Sequence, residues 1–124
     1  MALKNIANGD ATLNVSIPLG AGSANITSTP SVKVKAMSKG VYRGGLNFVI
    51  PSGAGISGTC ISVAPKSGTI SPTAQKVKAD GQLVIRDGDN TTLTVPGQVP
   101  STGAVCSFSA TITVNAGQIK AKAQ

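Results

Sequence analysis

The sequence predicts an all-β fold, a small compact pseudo-symmetric body of short strands built from an internal repeat. The repeat is the first reason. Lys33-Val34-Lys35-Ala36 returns as Lys76-Val77-Lys78-Ala79, each copy with a proline just upstream (Pro30, Pro72). Each copy is followed by an apolar strand-like run, a Gly/Pro-rich stretch and a single cysteine, Cys60 or Cys106. A repeat of this size is about one supersecondary unit, too small to bury its own apolar face, so the copies must stack on each other. Composition is the second reason: the chain has no Glu, and its 15 Gly and 7 Pro are spread along nearly its whole length, which removes the usual material for long helices. The third is alternation of apolar and polar residues in short segments bounded by turn residues. At 124 residues this is one domain. It divides into an N-terminal segment 1–29, repeat copies at about 30–63 and 72–114, and a C-terminal strand 115–124.

Residues 11–17 alternate up to Pro18, which predicts a half-buried strand with Leu13, Val15 and Ile17 inward. The Gly20-Ala21-Gly22-Ser23 stretch reads as a loop, 24–27 as a short strand, and Ser28-Thr29-Pro30 as a corner. In the first copy, 32–36 is expected as a strand with Val32, Val34 and Ala36 on one face. Lys39-Gly40 and Gly44-Gly45 are punctuation, 46–50 is an apolar strand stopped by Pro51, 52–59 is a glycine-rich loop and 60–63 a further strand. The second copy is cleaner. A strand over 75–79, the strong hairpin turn Asp80-Gly81 and a returning strand over 82–86 are followed by a turn at Asp87-Gly88-Asp89-Asn90. A strand over 91–95, a loop over 96–103 and the longest alternating strand, 107–114, come next. Asn115-Ala116-Gly117 then turns into 118–123, whose Lys-Ala-Lys-Ala echoes the repeated motif as a degenerate third strand.

The net charge of +7 comes from nine Lys and two Arg against Asp10, Asp80, Asp87 and Asp89. Lys33/Lys35, Lys76/Lys78 and Lys120/Lys122 are each spaced by two, which puts both ammonium groups on one strand face with Val or Ala on the other. Such lysines serve a solvated face or discourage edge-to-edge pairing. Only Tyr42, Phe48 and Phe108 are aromatic, so base-stacking platforms are missing and a nucleic-acid partner is not expected. The N-terminus lacks an apolar stretch of signal-peptide length, and no run of about 18 apolar residues occurs, so neither classical secretion nor membrane spanning is expected. Cys60 and Cys106 occupy matched places in the two copies. They are either two buried thiols, as in a reducing compartment, or a disulfide brought together by pseudo-symmetry.

The order of short strand, proline corner, Lys-Val-Lys-Ala, Gly-bearing hairpin and strand, then a cysteine and an alternating strand ending in Asn-Ala-Gly-Gln, resembles the PAAR-like family of spike tips. The matching stretches are 30–36, 72–88 and 106–120, and with their linkers they cover nearly the whole chain. The resemblance implies a β-rich cone that sits singly on the threefold end of a trimeric spike in a contractile injection machine: a type VI secretion system, an extracellular injection particle or a contractile phage tail. It implies that trimeric spike as the partner, transient contact with a target membrane, and residence at a virion tail tip or in the bacterial cytoplasm before delivery. The three Lys-x-Lys-Ala strands can supply the approximate threefold character such a seat needs. The other reading weighed is an immunoglobulin-like β-sandwich, a virion decoration or adhesin module.

PAAR proteins hold a metal near the apex through histidines and a cysteine, whereas this chain has no histidine. Two cysteines alone cannot close a zinc site, and Asp87 and Asp89 lack the further acids of a calcium loop. No metal, cofactor or small-molecule substrate is expected, and the tip would be closed by packing or a disulfide. Catalysis is not expected either, because no histidine pairs with a serine or cysteine and four scattered Asp form no carboxylate pair. Gly53-Ala54-Gly55-Ile56-Ser57-Gly58 has the wrong spacing for a nucleotide loop and no helix after it.

Overall fold

The structure, a computed structural model, describes residues 3–18, 20–56, 58–118 and 121–123. These residues form strands and turns and no helix. The early strands are β1 (Lys4–Asn5), β2 (Thr12–Ser16), β3 (Asn25–Ile26), β4 (Lys35–Ala36), β5 (Lys39–Gly40), β6 (Leu46–Ile50) and β7 (Gly55–Ile56). The later ones are β8 (Cys60–Ile61), β9 (Lys66–Ile70), β10 (Lys78–Ala79), β11 (Gln82–Leu83), β12 (Asn90–Gln98), β13 (Val105–Asn115) and β14 (Lys122–Ala123).

They assemble as three units, each a short hairpin followed by a long one. The long hairpins enclose the main core. The first is the least regular: β2 and β3 pair with neighbouring hairpins rather than with each other, and the chain reverses between them at the Ile17–Gly20 bridge. In the second, β6 pairs with β9, and the register runs without slip into β7 and β8, from Leu46↔Ile70 down to Ile56↔Cys60. In the third, β12 and β13 pair along their length from Asn90↔Thr113 to Gln98↔Val105. Neighbouring hairpins then join in a circuit. β3 pairs with β6, β8 with β12 at Ile61↔Gln98, and β13 returns to β2 through Thr111↔Ser16 to Asn115↔Thr12.

Alternation along these strands fills the interior with branched side chains. Leu46, Phe48, Ile50, Ile70, Val95, Ala110, Ile112 and Val114 are buried together. The Phe48 ring lies over Gly68, its cross-strand partner, and a Cβ on Gly68 would come within 2.6 Å of the ring. That glycine makes room for one of the few large side chains of the core.

Several expectations are corrected by this arrangement. The strand expected over 32–36 is reduced to β4, because the Ser31 hydroxyl accepts hydrogen bonds from the amides of Lys33 (3.2 Å) and Val34 (3.0 Å) and bends the chain. Ala36 is buried as expected, but Val32 is 81% exposed, so the three residues do not share a buried face. Lys39-Gly40 is strand rather than turn; the reversal falls one step earlier, at Met37-Ser38, with φ of 54° and 68°. β7 forms inside the expected loop 52–59, and β9 was not expected at all. β12 runs through Pro96 to Gln98 and β13 begins at Val105, so the expected loop over 96–103 is shorter. Of the last expected strand, β14 is seen, while Ile119 and Lys120 lie outside the described residues.

Candidate docking face at the lysine-bearing end

Three backbone segments meet beneath the main core. The Ala7 amide donates to the Ile85 carbonyl (2.8 Å), the Ile85 amide to the Tyr42 carbonyl (2.9 Å) and the Tyr42 amide to the Ala7 carbonyl (3.0 Å). The ring is cyclic: each segment gives one bond to the next and receives one from the last. Flanking bridges Asn8–Val41, Arg43–Val84 and Ile6–Arg86 repeat the same relation, so 6–8, 41–43 and 84–86 are threefold equivalents in one chain. Burial at this junction pushes the Tyr42 phenol above its usual pKa.

Each segment continues outward into a short hairpin of the same register. Lys35 lies opposite Gly40, Lys78 opposite Leu83 and Lys122 opposite Asn5. One further backbone bond recurs in each: Val41 N to Val34 O (3.0 Å), Val84 N to Val77 O (3.1 Å) and Ile6 N to Ala121 O (2.9 Å). The first two hairpins are continuous chain turning at Met37-Ser38 and Asp80-Gly81. The third is assembled from β1 and β14, which come from opposite ends of the sequence. A small second core of Ala36, Val41, Ala74, Ala79 and Val84, with Ile6, Val77, Leu83 and Ala121 against it, fills the space between them.

Polar side chains lock the corners. Buried Asn8 donates to the Ala36 carbonyl (2.9 Å) and accepts from the Asp10 amide (2.9 Å). At the equivalent place Arg43 reaches Asp80 on the next hairpin (3.0 Å) and the Thr29 carbonyl (2.6 Å). Arg86 donates from its backbone to Asp89 (2.8 Å) and from its guanidinium to Thr73 (2.7 Å), whose hydroxyl in turn hydrogen-bonds Asp89. Asp87 accepts from the Ala116 amide (3.0 Å). Both aspartates of the Asp87-Gly88-Asp89 turn are therefore committed to holding backbone, and among the described residues no group of three or more potential metal ligands occurs.

The sequence-singled residues fall out clearly against this frame. Lys35 and Lys78 are exposed while Ala36 and Ala79 beside them are buried, as strand alternation requires. Lys33 and Lys76 are also exposed but sit in bends, and Val34 is 37% exposed where Val77 is half-buried. With Lys4, Lys39 and Lys122, seven exposed lysines crowd this end; among the described residues Lys39 is the lysine with a carboxylate partner, Asp10 at 3.4 Å.

Cys60 and Cys106 lie far from the short hairpins in the fold and are joined as a disulfide, with Cα atoms 6.0 Å apart. The bond ties β8 to β13 across the intervening β12. Gly97, opposite Cys106, lies so close to β8 that a Cβ there would come within 2.5 Å of the Ile61 carbonyl. The cysteines are on the second arms of their hairpins but are not equivalent. The hairpin registers match Cys106 to Ser62, so the two are out of step by two residues. The depressions of the surface include open grooves such as the one lined by Thr12, Leu13, Asn14, Asp87 and Thr113 and the one lined by Thr29, Pro30, Val32, Lys33, Arg43 and Asp80, where Arg43 and Asp80 are paired with each other.

Sequence reasoning missed Asn8, Tyr42, Arg43, Ile85 and Arg86. The available signal was Val41-Tyr42-Arg43 and Val84-Ile85-Arg86, the same Val-apolar-Arg triplet at the same distance beyond each Lys-Val-Lys-Ala. Among the described residues no helix is long and apolar enough to cross a membrane. In comparison with known proteins the chain matches no family model, no curated protein and no solved structure.

Proposed function

We propose that this protein is a non-enzymatic structural tip that seats as one copy on the end of a trimeric spike and sharpens a contractile injection apparatus for membrane puncture. The observation that carries the reading is the cyclic ring through Ala7, Tyr42 and Ile85, which gives a single chain threefold backbone geometry. A monomer that meets a homotrimer end-on can satisfy all three partner chains alike only if it repeats its own surface three times. A closed circuit of hairpins around a core of small branched residues also suits a narrow, rigid body. The same circuit favours the tip over an immunoglobulin-like module, whose two stacked sheets have no threefold relation.

Light scattering is the test. The protein alone should run as a monomer, and mixing it with its cognate trimeric spike should give a complex of one tip per three spike chains. A stable homotrimer that ignores the spike would refute the assignment and favour surface decoration.

A further inference from the structure

The molecule is electrically polarised along its length. At one end stand seven exposed lysines, Lys4, Lys33, Lys35, Lys39, Lys76, Lys78 and Lys122, with Asp10, Asp80 and Asp87 as nearby acids, the last bonded through its amide to the Asn5 carbonyl. At the other, the hairpin tips and the disulfide include residues 17–18, 20, 52–56, 58–65 and 96–107, none of them charged. That neutral end leaves Val63 60% and Val105 88% exposed. The lysines also follow the threefold register. Lys35, Lys78 and Lys122 take the same place on the three short hairpins, and Lys39 on the first and Lys4 on the third take the place held by Gln82 on the second.

We infer that the lysine-bearing end is the docking face, that its partner presents carboxylates repeated by threefold symmetry, and that the neutral, disulfide-tied end points outward. This rests on the tip reading. A generic anionic surface needs positive charge but not charge repeated in register around an axis, whereas a trimer with one acidic rim per chain needs both. Six of the seven lysines lack an intramolecular carboxylate among the described residues, so a partner's acids meet donors already free and exposed. Charge complementarity of this kind sets encounter rate and orientation, and salt weakens it. The neutral end, with exposed valines and no ammonium groups to desolvate, is the end suited to entering a bilayer.

The experiment measures binding of the cognate spike trimer to the wild-type protein, to Lys35→Glu/Lys78→Glu and to Val105→Glu, at about 0.1 and 0.5 M NaCl. Phosphatidylserine vesicles serve as a second probe, and each variant's melting curve checks folding. The inference expects a 1:3 complex for wild type that weakens about tenfold or more in high salt. It expects loss of about tenfold or more for the lysine variant and none for Val105→Glu. If wild type binds and the lysine variant binds equally, with unchanged salt dependence, the face is wrong while the tip reading stands. If Val105→Glu alone abolishes binding, the orientation is reversed. If no spike complex forms at either salt, the tip reading falls and takes this inference with it, and lysine-dependent binding to the vesicles would then assign the face to an anionic membrane.

Discussion

Removing the Cys60–Cys106 bond by Cys60→Ala with Cys106→Ala should lower stability by roughly 4 kcal/mol, a figure set by chain entropy. The cysteines are 46 residues apart, and closing a loop of that length removes roughly 13 cal/mol/K from the unfolded chain, or about 4 kcal/mol at 25 °C. Spread over an unfolding entropy of about 2.1 cal/mol/K per residue, this is a fall in Tm of about 15 °C. The loosening should also be local. β8 pairs with β12 at Ile61↔Gln98, a single ladder position, so once the sulfurs part, β7 and β8 are only weakly held to the third hairpin. Amides of Gly55 and Ser62, which donate to Ala21 and Ala54 across that end, should exchange faster. Those of Ala7, Tyr42 and Ile85 should keep their protection at temperatures below the transition. The assay is a calorimetric melt of wild type with and without reductant beside the double variant, plus hydrogen exchange by mass spectrometry. Reductant should reproduce the variant's Tm in the wild type and leave the variant untouched. An oxidised wild type whose Tm moves by less than about 3 °C on reduction would refute the reasoning, because the entropy argument applies whatever the local packing.

Met37→Asn with Ser38→Gly should stabilise the protein by about 1 kcal/mol and raise Tm by about 4 °C, since both residues hold positive φ that Asn and Gly adopt at less cost. Asn8→Ala should cost about 2–3 kcal/mol in a urea melt, because it strips the buried Ala36 carbonyl and the Asp10 amide of their partner. Gly40→Ala should disrupt the first short hairpin, where a Cβ would sit 1.9 Å from the Ser31 carbonyl oxygen, and the variant should show a loss of Tm of at least several degrees. The raised pKa of Tyr42 makes a signed prediction. The folded protein holds this proton more tightly than the unfolded chain, so stability is intact below about pH 10 and falls as pH climbs through the folded value. Tyr42→Phe should make that alkaline decline shallower.

How much of this was readable in advance depends on whether a position's constraint is local. Asp80-Gly81 announces its turn because those residue types favour positive φ, whereas Met37-Ser38 makes the same turn against its own preference, held there by Ala36↔Lys39 pairing and the buried Ala36. β9 reads Lys-Ser-Gly-Thr-Ile and has almost no apolar period, because Phe48 from the facing strand fills the space over Gly68. Pro96 looks like a strand terminator but lies in β12 opposite Ser107, where it belongs to the ladder without ending it. The doubled Lys-Val-Lys-Ala was legible as a repeat, and so was its echo before the last residue. The ring through Ala7, Tyr42 and Ile85 was not, since each contributor is a three-residue segment whose bonds go to chain more than thirty residues away.

The hairpin made from β1 and β14 imposes an order of events on folding. Lys4 and Asn5 leave a ribosome more than a hundred residues ahead of their partners, Ala123 and Lys122. β2 waits almost as long for β13. While the intervening chain is made, then, one third of the circuit stays open and the amides of the first unit face solvent, whatever the other two units have already formed. Closure of that seam is a late, long-range event of the slow kind, and loss of β14 would be felt first at Ile6, at the opposite end of the sequence, whose amide is bonded to Ala121.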